Sequence, residues 1–232
     1  LARTHLEALH VTQVGSPQAS SGIPRINDPA PDFEAQSTHG IIHLSDYTKQ
    51  GKWVLLFSHP ADFTPVCSTE LVELARRNAD FEAIDTQLIG VSVDSVYSHI
   101  AWAQNMAEKF GQEIPYPIIA DLDTKVAQAY GMIHPGASAT ATVRAVFVID
   151  PKQVIRALVY YPMQAGRNID ELHRLVTALQ TVDAHGVSTP VNWKRGDPVV
   201  VPAPATTEGA RQRKADGEGL DVVDWYISTK KL

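Results

Sequence analysis

Apolar residues along the chain come in short runs rich in β-branched and aromatic side chains, each followed by a stretch with helical spacing. Trp53-Val-Leu-Leu-Phe57 predicts a buried strand. After a turn with two prolines, Leu71, Leu74, Ala75 and Asn78 repeat at helical spacing, which predicts a helix from about Thr64 to about Ala79. Thr86 to Asp94 is an apolar run with no charge inside it, as expected of a central strand. A helix from Tyr97 to Phe110 follows, closed by Gly111. The alternation continues with a strand Tyr116 to Asp121, a helix Thr124 to Tyr130 capped by Gly131, and strands Ala141 to Ile149 and Val154 to Tyr161. Asp150-Pro-Lys-Gln153 makes the turn between the last two strands, and a helix Ile169 to His185 ends the pattern. Such an order predicts the α/β class, a central mixed sheet with flanking helices.

The two ends break the pattern. Leu1 to Gly22 mixes polar residues with Gly15, Ser16, Pro17, Ser20 and Ser21, so residues 1–27 read as an extension to a domain spanning 28–186. Ile41-Ile-His-Leu44 with Tyr47 reads as a short edge strand and its connection. Residues 187–232 hold one apolar run, Val199-Val-Val201, followed by a loop rich in proline, glycine and charge, and are too few to fold alone. Over the 232 residues, 44% are hydrophobic and 20% charged, and the net charge of −6 gives no support to nucleic-acid binding or to a basic membrane patch. Without an apolar run of about 18 residues no transmembrane helix is expected, and Leu1 to Arg25 lacks the apolar core of a secretory signal.

Chemistry concentrates on one atom. Cys67 is the single cysteine, so no intrachain disulfide can form, and a reducing, cytoplasmic setting is expected. A lone cysteine is ordinarily a buried, inert small hydrophobe. Here, though, Thr64 suits the N-cap and Pro65 the first helical position, which puts Cys67 third in the helix, where N–H groups lack acceptors and the helix dipole is positive. A thiol so placed is expected to ionise below its free value of about 8.5, toward roughly 3.5–7.5. The nine histidines are scattered, with no paired Cys/His spacing, so no metal is expected.

The motif Pro60-x-x-x-Thr64-x-x-Cys67 after a buried strand matches the active-site pattern of the peroxiredoxins. The wider Phe57-Ser-His-Pro-Ala-Asp-Phe-Thr-Pro-Val-Cys67 resembles the one-cysteine, peroxiredoxin-6-like branch, from about Asp28 to the C-terminus. That resemblance implies a thioredoxin-like fold plus a C-terminal arm that packs on a partner subunit, hence a homodimer or higher oligomer. It implies an antioxidant thiol-dependent peroxidase in which Cys67 attacks hydrogen peroxide or a small organic hydroperoxide, becomes a sulfenic acid, and is restored by an external thiol or redoxin. No cofactor is implied.

Several further residues take candidate roles. Thr64 offers its hydroxyl to the mouth of the site, and Arg144, the one charge in an apolar strand, needs an anion and matches the family's strand arginine. Pro60 would shield the sulfur, His59 could tune it or be a satisfied core histidine, Arg167 resembles a second arginine of the family, and Glu70 either pairs with an arginine or is a solvated charge. Ser228 stands where some extended relatives look to have a cysteine. Phospholipase chemistry in some relatives uses a Gly-Asp-Ser-Trp-Gly segment and an upstream histidine; Gln50-Gly-Lys-Trp-Val54 and Ser45 occupy those places here, so none is expected by that route. A peroxide sensor or redox-regulated chaperone using the same cysteine, and a non-catalytic binding module, are the rival classes.

Overall fold

A computed structural model of the chain describes residues 22–232; most of the expected N-terminal extension lies outside them. The elements in chain order are β1 (Glu34–Ser37), β2 (Gly40–His43), α1 (Leu44–Thr48), β3 (Trp53–Ser58), α2 (Pro65–Arg76), α3 (Asn78–Glu82), β4 (Thr86–Ser92), α4 (Val96–Phe110), β5 (Ile118–Ala120), α5 (Lys125–Ala129), β6 (Arg144–Ile149), β7 (Ile155–Tyr161) and α6 (Ile169–His185). The C-terminal segment adds β8 (Val199–Val200), α7 (Thr207–Ala215), β9 (Asp221–Asp224) and β10 (Ile227–Lys230).

β3 is buried along its whole length because it lies inside a seven-stranded mixed sheet of order β2-β1-β5-β4-β3-β6-β7. It runs parallel to β4 and antiparallel to β6, with Leu56 opposite Ile89 on one side and Phe147 on the other. The pleat sends alternate side chains to opposite faces. Trp53, Leu55 and Phe57 meet Leu71 and Leu74 of α2, Trp102 and Met106 of α4, and Leu172 and Val176 of α6. Val54 and Leu56 face the other layer, with Leu44, Val126, Tyr130 and Phe147. Both faces of the sheet are covered, which is why its central strands carry unbroken apolar runs.

Some element boundaries differ from those the sequence predicts. The expected helix to Ala79 stops at Arg76, and a separate turn of helix, α3, begins after Arg77 (φ −92°, ψ 1°). The strand expected from Ala141 begins at Arg144, because Val143 N–H is taken by Met132 O instead of a strand partner. Two short elements, β1 and α1, carry too little periodicity to be read from sequence alone. The largest departure is residues 187–232: the stretch read as loop holds α7, whose N-cap Thr206 accepts from Gly209 N, and a three-stranded sheet of order β8-β10-β9. Ala178, Val187, Trp193 and Val199 form its own small apolar cluster against α6. α7 has no buried residue, so no apolar stripe announced it. No helix among the described residues is long and apolar enough to cross a membrane.

Candidate active site

The turn from β3 into α2 carries the site. Ser58 Oγ donates to Val143 O (2.6 Å) and accepts from Ala145 N, while Thr142 Oγ1 donates to His59 O (2.7 Å), so the end of β3 is tied to the start of β6. Buried Pro60 follows, then Phe63 at a left-handed φ of 55°, which a side chain adopts at a cost. That reversal aims α2 across the carboxyl end of β3. Thr64 is the N-cap, with extended backbone (φ −108°, ψ 147°), Pro65 is the first helical residue, and Cys67 is the third, as expected. The first intrahelical bond runs from Ser68 N to Thr64 O (3.0 Å), leaving the N–H groups of Val66 and Cys67 ahead of the ladder.

Cys67 is buried, with 0% of its surface exposed. Arg144, whose Cα lies at the start of β6, reaches it with Nη1 3.3 Å from Sγ. The same Nη1 donates to Glu70 Oε2 (2.6 Å), and Nε and Nη2 both donate to Met163 O (2.9 and 2.7 Å). Arg167 completes the cluster: its N and Nε donate to Glu70 Oε1 (2.8 and 2.9 Å), Nη2 to Glu70 Oε2 (2.7 Å), and Nη1 to Ser58 O and Ala145 O (2.9 and 3.1 Å). Its guanidinium also lies 5.4 Å from the centre of the Phe57 ring. Glu70 is therefore no solvated charge; it is 3% exposed and binds two arginines at once. Burial pushes its carboxyl up, but the hydrogen bonds and charge of Arg167, joined by Arg144, hold it below the usual carboxylate range.

The Thr64 hydroxyl and the His59 ring both turn to partners other than the sulfur. Thr64 Oγ1 donates to Ala61 O (2.8 Å) and makes no capping bond, because the tight turn at Phe63 brings that carbonyl within reach. His59 makes no hydrogen bond to the sulfur; its Nε2 pairs with Asp62 Oδ1 (2.9 Å). No sequence signal points to Asp62 or to His99 of α4, whose Nδ1 lies 2.8 Å from Asp62 Oδ2. The histidines read as scattered thus supply two members of a buried group, His59, Asp62 and His99. Residues 59 and 62 share a motif, and His99 lies on the buried face of α4 with Trp102 and Met106, but nothing in sequence joins the two segments.

A buried cysteine at a helix start, with a guanidinium 3.3 Å away and a carboxylate holding that guanidinium, is arranged to support negative charge at and beside sulfur. The model of the AhpC/TSA family matches residues 26–158, and that of the C-terminal domain of 1-Cys peroxiredoxin matches residues 178–217. The chain belongs to the peroxiredoxin family of thiol-dependent peroxidases. A peroxiredoxin of Aquifex aeolicus is 53% identical over 220 residues, covering 90% of this chain and 98% of the relative. Peroxiredoxin 2 of Caldanaerobacter subterraneus is 51% identical over 210 residues, covering 90% and 94%. Among solved structures, a yeast mitochondrial 1-Cys peroxiredoxin superposes with a TM-score of 0.80 at 39% identity, covering 90% of this chain and all of that one. The C45S mutant of peroxiredoxin 6 of Arenicola marina superposes with a TM-score of 0.79 at 31% identity, covering 90% and 98%. The thioredoxin-like fold expected of this peroxiredoxin is the one described above.

Proposed function

We propose that this peroxiredoxin reduces hydrogen peroxide and small organic hydroperoxides by a one-cysteine cycle. The observation that carries the reading is the pairing of the chain's single cysteine with Arg144 Nη1 at 3.3 Å. The Cys67 thiolate attacks one peroxide oxygen; the S–O bond forms as the O–O bond breaks, and the departing oxygen leaves as water or alcohol after taking a proton. Arg144, held by Glu70 and Met163 O, meets the negative charge as it moves from sulfur to the departing oxygen. Pro60, with no N–H, keeps that side of the turn apolar, Arg167 fixes Glu70, and Thr64 shapes the helix start through Ala61 O.

With one cysteine in the chain, the sulfenic acid has no internal resolving thiol. An external thiol or redoxin displaces water to give a mixed disulfide, and a second thiol releases Cys67 as the thiol. No cofactor enters these steps. The exposed Val223 and Tyr226 of the C-terminal arm support a homodimer in which the arm covers a second copy, and the cytoplasm is the compartment that suits a free thiol.

The test is peroxide consumption with dithiothreitol by wild type and Cys67→Ser, with intact masses of the oxidised protein. Multiple turnovers by wild type, none by the variant, and a gain of one oxygen on the wild-type chain are expected. Consumption of a single equivalent per chain would instead mark a sensor, and equal consumption by the variant would end the proposal.

A further inference from the structure

The group formed by His59, Asp62 and His99 lies in the interior beside the turn that delivers Cys67, and its side chains are 0%, 2% and 0% exposed. Three short gaps hold it together: His59 Nε2 to Asp62 Oδ1 (2.9 Å), His99 Nδ1 to Asp62 Oδ2 (2.8 Å) and His99 Nε2 to Ile119 O (3.1 Å). A carbonyl oxygen accepts and never donates, and so does an ionised carboxylate, so each gap needs one hydrogen. Two neutral imidazoles carry one each, which leaves the third gap to an extra proton. That proton cancels the charge of Asp62 and makes the group neutral as a whole, as its burial requires.

The extra proton has one natural place. The His99 ring faces acceptors at both nitrogens, whereas His59 faces one, and its buried Nδ1 has no hydrogen-bond partner among the described residues. Burial keeps His59 below its ordinary value, against the pull of Asp62, and so neutral. Burial raises Asp62, but its bonds to His59 and His99 outweigh that and hold it well below the usual range. Asp94, from the connection between β4 and α4, also faces the cluster; its Oδ2 accepts from Asp62 N (3.1 Å) and from Ser92 Oγ (2.7 Å).

We propose that Asp62 and His99 are positioning residues: they form a buried imidazolium–carboxylate pair that holds His59 in its Nε2–H tautomer and clamps residues 59–64 to α4, β4 and β5. A clamp is needed because Phe63 sits at a positive φ, a conformation that persists where its surroundings over-determine it. The competing occupant of the same three ligand atoms is a divalent cation. It would displace the hydrogens from His59 Nε2 and His99 Nδ1 and gather one atom of each residue around one point, whereas here each carboxylate oxygen faces its own ring.

Side-chain nitrogen NMR of the reduced, 15N-labelled full chain at neutral pH reads the hydrogens directly, with His59→Gln and His99→Gln for assignment. One ring protonated at both nitrogens and assigned to His99, and an Nε2–H tautomer for His59, both unchanged by EDTA, are the expected result. A neutral His99, or spectra that shift when EDTA removes an ion, would overturn it. The kinetic arm rests on the peroxidase reading and follows the reaction of Cys67 with hydrogen peroxide by stopped-flow tryptophan fluorescence in Asp62→Asn and His99→Gln. A fall in the second-order rate constant of about ten- to a hundredfold, with a cooperative thermal transition retained, is expected for a displaced sulfur; a rate within about twofold of wild type refutes the positioning role. Should either variant fail to fold, the wild-type spectrum, with the His99 ring assigned through correlations to its own backbone, still decides. That spectrum does not depend on turnover, so failure of the peroxidase reading and failure of this one are separable.

Discussion

Glu70→Gln keeps the side chain's volume and removes one oxygen from the centre of the site. The carboxylate takes four hydrogen bonds, two at Oε1 from Arg167 and two at Oε2 from Arg167 and Arg144. Glutamine presents an oxygen at one position and an NH2 at the other, so whichever way the amide turns, two of the four become donor–donor contacts. Two guanidiniums, 2% and 7% exposed, also lose their shared counter-charge. Breaking a buried ion pair by removing one partner costs about 3–5 kcal/mol. At about 2–4 °C per kcal/mol for a domain of this size, the melting temperature should fall by roughly 6–20 °C. Urea and thermal unfolding of both proteins followed by circular dichroism measure this. The pH dependence has a definite sign: the folded carboxyl lies below its ordinary 4.5, so its stabilisation is complete above that value and is lost as pH falls through the folded value. The gap between the two proteins should therefore narrow in acid. A neutral-pH gap under about 1 kcal/mol, as for an exposed pair, or a gap that acid leaves unchanged, refutes the reasoning.

His59 is held below its ordinary 6.5 by burial, so the unfolded chain takes up a proton first and stability drops as pH falls from 6.5 toward the folded value. Thermal melts across mildly acidic pH should show that slope in wild type and a shallower one in His59→Gln; equal slopes contradict it. Gly131 has a φ of 61°, and a Cβ there would stand 2.5 Å from Ile23 Cγ1 and 3.1 Å from its Cα, so Gly131→Ala should cost more than about 1 kcal/mol in urea unfolding. Tyr116 is fully buried and donates to Leu71 O of α2 (2.9 Å); Tyr116→Phe should cost about 0.5–1.5 kcal/mol, and a variant as stable as wild type would show that bond to be worthless.

How much could be read in advance depended on whether the signal was local. The strand Trp53–Phe57, the N-cap at Thr64, Pro65 at the first helical position and Cys67 at the third were legible because propensity, proline chemistry and capping act over a few residues. Gly111 and Gly186 end their helices in the left-handed conformation, and the first of these is legible in the sequence for the same reason. Thr64 shows where local reasoning stops. Its residue type suits a cap, but its hydroxyl had a choice of acceptors, and the turn at Phe63 made Ala61 O the nearer one. The helix and strands after Val201 are not legible in the sequence because α7 is polar all round and the strands beside it are short, so periodicity has nothing to register.

What the amino-acid order determined alone was the alternating α/β plan, the single thiol at a helix start and the motif around it. Tertiary structure decided the partners. Glu70 and Arg144 are 74 residues apart and Asp62 and His99 are 37 apart. Each pair is joined because the sheet sets β6 beside β3 and lays α4 against the same face. In that dry interior an ionised group must find an opposite charge or a donor, whatever its distance along the chain.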